Sequence, residues 1–179
     1  RIAAIYEGAN GIQAIDLLGR KVGRKQGALF IQLMTDIGQT IEQAGGHPAL
    51  GRSAELLGER KQKLEQITMS FGMMQMSGDM DFPLLSATGY LRMMSNVVGG
   101  WLLLQQGLVA HAALAELAAA QGATSDEARQ KLIEHHDDAR FYELKIKTAQ
   151  FFIANLLAEN DGLAAAIESG DRSALDMPL

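Results

Sequence analysis

The chain holds 179 residues, carries a formal net charge of -5, is 47% hydrophobic and contains no cysteine. That length is enough for one large or two small domains with a buried core. The acidic balance argues against general nucleic-acid binding, which needs surplus Lys and Arg to displace counterions from phosphate. The missing cysteines exclude disulfides, thiolate nucleophiles and cysteine-held metals, and fit a reducing compartment.

With only three prolines, and many Ala, Leu, Gln and Glu, the chain reads as strongly helical, and strand-forming runs are missing. The first stretch, Ile5 to Gln13, sets Glu7 between Tyr6 and the small run Gly8-Ala9-Asn10-Gly11. The glycines allow close approach to the backbone. Asn10 is a candidate cap for the next helix, whose first amide N–H groups would face whatever precedes it. A carboxylate beside a helix start is a place for a polar or anionic ligand group; on pattern alone, a solvated turn residue is the simpler reading of Glu7.

The first helix is expected over 11–22, with Ile12, Ile15, Leu18 and Val22 on one face. The basic run Arg20, Lys21, Arg24, Lys25 then complements its C-terminal dipole. The second helix is predicted over 26–44 with a stripe of Phe30, Leu33, Ile37, Ile41 and Ala44, and Gly45-Gly46-His47-Pro48 stops it. The third is predicted over 50–76, with Leu50, Ala54, Leu57, Leu64, Ile67, Phe71 and Met74 inward and 59–63 facing water. Met69, Met73, Met74 and Met76 read as core filling in preference to an adaptable groove.

After a turn at 77–83, with Asp81 as a cap and Pro83 in the first helical turn, a fourth helix is predicted over 84–120. Its seams are Leu84, Leu91, Val98, Gln105 and Ala87, Met94, Trp101, Leu108. Gly99-Gly100 marks close approach of a neighbour or a kink. The apolar run 97–120 is interrupted by Gln105, Gln106, His111 and Glu116, and reads as a buried helix and not as a membrane span. Arg92 and Trp101 are candidate ligand contacts, with snorkelling and core filling the preferred readings.

A capping box from Thr124 to Glu127 should open a fifth helix to about Ala158, with a seam of Leu132, His135, Ala139, Tyr142, Ile146, Ala149, Ile153 and Leu156. Within it, His135 and Asp138 supply only two plausible metal ligands where a closed site usually needs four, so a metal reading is disfavoured. A short helix over 161–168 and a frayed tail over 170–179 complete the expectation.

The run Tyr6-Glu7-Gly8-Ala9-Asn10-Gly11-Ile12-Gln13-Ala14-Ile15-Asp16-Leu17-Leu18-Gly19-Arg20-Lys21 resembles the catalytic-glutamate segment of acyl-CoA dehydrogenases. Two later stretches, 90–102 and 141–152, resemble the extra helical domain that some members carry after the usual C-terminal bundle. The resemblance implies an FAD enzyme that oxidises an acyl-CoA to the 2,3-enoyl-CoA, with Glu7 as the base that removes the α-proton. It places Tyr6 and Gly8 beside the thioester, and Ala9, Asn10 and Gly11 beside the flavin nucleotide. Many relatives have threonine where this chain has Ala9, so a hydroxyl contact to the flavin is missing, and Gly11 offers only its backbone.

The resemblance further implies an electron-transfer flavoprotein as acceptor, a homodimer or homotetramer, and a cytoplasmic location, or the mitochondrial matrix in a eukaryote. It also implies that the chain, which opens on Arg1, is a fragment inactive by itself. The expected organisation is all-α: residues 1–24 as the glutamate segment and last helix of the core bundle, 25–160 as an appended up-down bundle of about four long helices, and 161–179 as a short helix and tail. A non-catalytic helical oligomerisation module is the alternative.

Overall fold

The computed structural model describes residues 9–177, and all the regular structure among them is helical. In chain order α1 spans Asn10–Asp16 and continues as a π-helical turn Leu17–Lys21; α2 spans Ala28–Ala44, α3 Gly51–Met76, α4 Asp81–Leu85 and α5 Ala87–Ala120. Then come α6 Asp126–His135, α7 Asp137–Phe151 with a π-helical turn Phe152–Leu156, α8 Glu159–Glu168 and a 3-10 turn Ser173–Asp176. The chain forms two compact units, one of residues 1–36, 59–97 and 158–179, the other of 37–58 and 98–157.

In the first unit the core holds Leu64, Ile67, Phe71, Phe82, Tyr90, Met93 and Val97. Phe71 packs against both Phe82 and Tyr90, with ring centroids 6.4 and 5.6 Å away. Thr68 donates to the Leu64 carbonyl at 2.7 Å, which leaves its oxygen to accept from the Tyr90 hydroxyl, also at 2.7 Å. Burial pushes the Tyr90 phenol up to about 12 against an ordinary 10, because the anion would lose its hydration. The sign follows directly. Stability should be level to about pH 10 and fall towards pH 12, as the unfolded chain releases a proton that the folded chain retains. Urea melts at stepped pH check this, and Tyr90→Phe should remove much of that alkaline slope.

Segment α8 is fixed in this unit by charge and amide contacts. Arg60 pairs with Asp161 at 2.6 Å, Lys63 with Glu168 at 2.9 Å and Arg92 with Glu159 at 2.7 Å. Buried Asn160 accepts from Asn96 at 2.9 Å and donates to the Met93 carbonyl at 3.1 Å. Residues 59–63 are therefore not simply water-facing, since the Arg60 side chain is only 15% exposed. Nor is the C-terminal stretch frayed over its described part: Arg172 pairs with Asp79 and stands 5.1 Å over the Phe82 ring. That ion pair also holds the Asp79 carboxyl below the usual carboxylate range.

In the second unit α3 and α5 run antiparallel, since Leu50 lies against Gly107 and Leu57 against Gly100. The π turn and α7 pack on the same helix, with Ala149 near Gly107, Ile153 near Gly100 and Phe152 near Gly99. Helix α5 is long and apolar enough to cross a membrane by length and composition. It nevertheless keeps one buried row from Ala87 to Ala118, and Trp101 and Gln105 both donate to Thr40. These are the features of a helix packed on other helices.

Several expected details shift. On α5 the predicted seam members Ala87 and Met94 are buried as expected, but other buried residues lie one position ahead of the predicted seams, at Tyr90, Val97, Leu104 and at Gly100 and Gly107, where glycines make the close contacts and have no side chain to count as apolar. The predicted fifth helix is two helices, broken at His136, whose φ of -118° and ψ of 121° are extended. Its last seam residue is Leu157 and not Leu156, since the π turn, closed by Leu157 N–H to the Phe152 carbonyl at 3.0 Å, inserts one residue. Ser125 and not Thr124 caps α6, accepting from Ala128 N–H at 3.2 Å. Asp79 and not Asp81 reaches the start of α4, at 3.5 Å from Phe82 N. Finally, Met69, Met73 and Met76 are exposed and fill no core, and Ile12 and Ile15 of the expected α1 face are exposed too; of that face Leu18 is buried, together with Ala14, which the expected face did not include.

Candidate functional site

The stretch to which the sequence assigns chemistry straddles the first described residue. Tyr6, Glu7 and Gly8 lie outside the described residues; Ala9, Asn10 and Gly11 lie inside and are all exposed. Ala9 precedes α1 with φ -54° and ψ 112°, so the cap position falls on Ala9 and Asn10 is the first helical residue. No side chain caps the helix there, because alanine has no acceptor. Gly11 faces open space: a Cβ built on it would have nothing within 4 Å. The start of α1 thus offers exposed residues with no side-chain cap.

At the other end of α1 charge is settled locally. Asp16 accepts from Arg20 at 2.6 and 3.0 Å and lies 3.1 Å from Lys21. The hydrogen bonds from Arg20, then Lys21, hold its carboxyl at about 2. Two members of the basic run therefore pair with an acid of the same helix. Lys25 and Gln26 adopt left-handed φ of 52° and 59° in the turn before α2.

Of the other candidates, Arg92 and Trp101 are absorbed by Glu159 and Thr40. His135 ends α6 while Asp138 sits in α7, so they no longer share a helix. Among the described residues no group of three or more His, Asp or Glu stands close enough to hold a metal.

Sequence reading passed over His47. Its Nδ1 accepts from the amides of Ala49 and Leu50, both at 3.2 Å, with Pro48 between, which is an N-cap arrangement built on imidazole. Its signal was the Gly-Gly-His-Pro order, which places a side-chain acceptor one residue before a proline. The ring stands edge-on to His111, centroids 4.3 Å apart. Partial burial and then the charge His111 can carry hold the His47 imidazole below its ordinary 6.5. A ring nitrogen that accepts two N–H groups cannot also bear a proton.

The unfolded chain therefore binds the proton more readily. Stability should be full above about pH 6.5 and decline as pH falls below it. Replacing His47 by Asn keeps an acceptor and removes the titration, so its melts should lose that share of the acid decline. An unchanged decline in the variant would assign it to other groups.

Sequence comparison places the chain among known proteins. A family profile described as acetyl-CoA dehydrogenase C-terminal like matches residues 33–178. A butyryl-CoA dehydrogenase of Syntrophomonas wolfei is 28% identical over 99% of this chain and 26% of its own length. A broad-specificity linear acyl-CoA dehydrogenase of Mycobacterium tuberculosis is 27% identical over 99% of the chain and 27% of its length. A 3-methylmercaptopropionyl-CoA dehydrogenase of Ruegeria pomeroyi is 33% identical over 89% and 24%. The chain thus spans about a quarter of the length of these curated relatives.

Proposed function

The chain belongs to the acetyl-CoA dehydrogenase C-terminal-like family, and from that membership we propose that it is the C-terminal part of an FAD-dependent acyl-CoA dehydrogenase. The observation that carries this is the similarity over 99% of the chain to relatives that each bear an acyl-CoA dehydrogenase name. In this reading Glu7 is the base that takes the α-proton of an acyl-CoA thioester. Removing that proton needs a carboxylate whose proton affinity is raised by a water-poor pocket.

Tyr6 and Gly8 flank the thioester, and Ala9, Asn10 and Gly11 hold the flavin nucleotide through the backbone at the start of α1. The described part of this set suits that task. It is exposed, uncapped and, at Gly11, unobstructed. Bound FAD would supply the acceptor for the β-hydride. Ala9 gives no hydroxyl and Gly11 no side chain, so at these two positions anchoring rests on the backbone. The proposed electron acceptor of the intact enzyme is an electron-transfer flavoprotein, the proposed location is cytoplasmic, and the isolated chain is inactive.

The test is an anaerobic titration of the intact polypeptide with a panel of acyl-CoAs, read by flavin absorbance. Bleaching with at least one acyl-CoA is expected; none across the panel would remove the dehydrogenase reading. A helical self-association module is the second reading, favoured by the exposed Phe141, Leu144 and Phe151 along α7, and it predicts no dependence on Glu7.

A further inference from the structure

In the second unit, α5, α6, α7 and the turn before α3 enclose a cavity of about 280 Å³. Its wall is aliphatic, with Leu114, Leu132, Ile133 and Ile146 turned into it. Two cations stand at its rim. Lys147 is 3.4 Å from Glu143, which offsets its charge. The Arg129 guanidinium has no ion-pair or hydrogen-bond partner among the described residues, and neither ring nitrogen of His111, also on the wall, is hydrogen-bonded by them.

Two other cavities offer less. One of about 370 Å³ is bordered by Arg60, Lys63, Asp161 and Glu168, whose charges already pair with one another. Another of about 250 Å³, beside Phe71 and Phe82, has Glu168 as its charged wall residue. Only an unpaired cation over an apolar wall asks for a ligand with two chemically different ends.

The geometry points to a binding site for a small aliphatic carboxylate, its chain against Leu132, Ile133 and Ile146 and its head on Arg129. A planar guanidinium meets a carboxylate through two parallel N–H groups, which an ammonium cannot do. The His111 ring is placed to add a further hydrogen bond. A cavity of about 150 Å³ accepts benzene, so this one suits a chain of about six to eight carbons. Because the rim is open to water, the site should be weak, with a dissociation constant on the order of 1 mM for a ligand of this size. All its residues belong to the second unit, and the inference does not rest on the dehydrogenase reading.

Octanoate and octanol are the probes, titrated into the 179-residue chain and followed by methyl NMR. Octanoate should shift the Leu132, Ile133 and Ile146 methyls saturably and bind about tenfold tighter than octanol. Arg129→Gln, a change at an exposed side chain, should erase that preference at an unaltered melting temperature, while Arg129→Lys should keep part of it. Ala115→Phe, at the mouth, should block both probes. Equal binding of the two probes, or a preference that survives Arg129→Gln, would overturn the carboxylate assignment. Shifts spread over the exposed Leu102, Val109 and Leu144 methyls, or none up to 10-fold above the expected dissociation constant (about 10 mM), would overturn the site itself.

Discussion

Glu7→Gln in the intact polypeptide should slow dehydrogenation by about 10²–10⁴-fold, the range that a positioned general base contributes. That corresponds to about 3–5 kcal/mol of barrier. The amide keeps the size and hydrogen-bonding reach of the carboxylate and loses its ability to take a proton. Flavin content and acyl-CoA affinity should therefore remain near those of the parent, and the loss should fall on the rate of flavin bleaching. Bleaching at an equal rate in both proteins would move the base elsewhere and leave this chain a structural domain. A variant that loses flavin as well would point to a folding role for Glu7, and the smaller change Glu7→Asp, which keeps the charge, would then decide between the two.

Gly100→Val should cost about 2 kcal/mol of stability. The glycine is buried, and a Cβ built there meets Leu57 Cδ1 at 3.3 Å, Ile153 Cγ1 at 3.5 Å and Leu157 Cδ2 at 3.8 Å. Leu57 and Leu157 are themselves without exposure. Methyls added on all these sides force neighbouring helix residues outward, the overpacking that typically costs about 1–3 kcal/mol. For a chain of this size the melting temperature should drop by roughly 4–8 °C.

Gly72 supplies the control, since it sits in α3 with nothing within 4 Å of a built Cβ. Replacing it by Ala should raise stability by about 0.5–1 kcal/mol through helix propensity. Equal stabilities of Gly100→Val and Gly72→Val would show that the α3 and α5 backbones need no glycine to meet.

The contrast between these glycines explains what the sequence disclosed. Periodicity located α2 and α3 to within two residues, because Ile37, Leu50, Leu57, Leu64 and Phe71 are large, regularly spaced and buried. On α5 the same method slipped by one position. There Gly100 and Gly107 make the closest helix contacts, and a pattern of apolar side chains does not register a residue that works by having none.

Local punctuation was legible only where it was chemical. Gly45-Gly46 ended α2 as expected, with Gly46 at φ 73°. By contrast, the break at His136 carries neither glycine nor proline. The glutamate segment was legible as a resemblance. Of it, the described residues show an exposed helix start at Ala9, Asn10 and Gly11.

The π turn at Phe152–Leu156 has a consequence for how this domain can vary. One extra residue on a helix rotates everything after it by about 100° about the axis. Deleting Ala154 would restore an ordinary turn and leave Leu157 three residues after Ile153, still on the row of Ile146 and Ala149. Relaxing the turn to α-helix without a deletion would instead carry Leu157 off that row. A homologous helix that lacks the turn must therefore be one residue shorter here, or must bring its apolar residues forward by one. Insertions and deletions at 152–156 are thus not interchangeable with those in a surface loop, because each one sets the angular phase of the helix that follows.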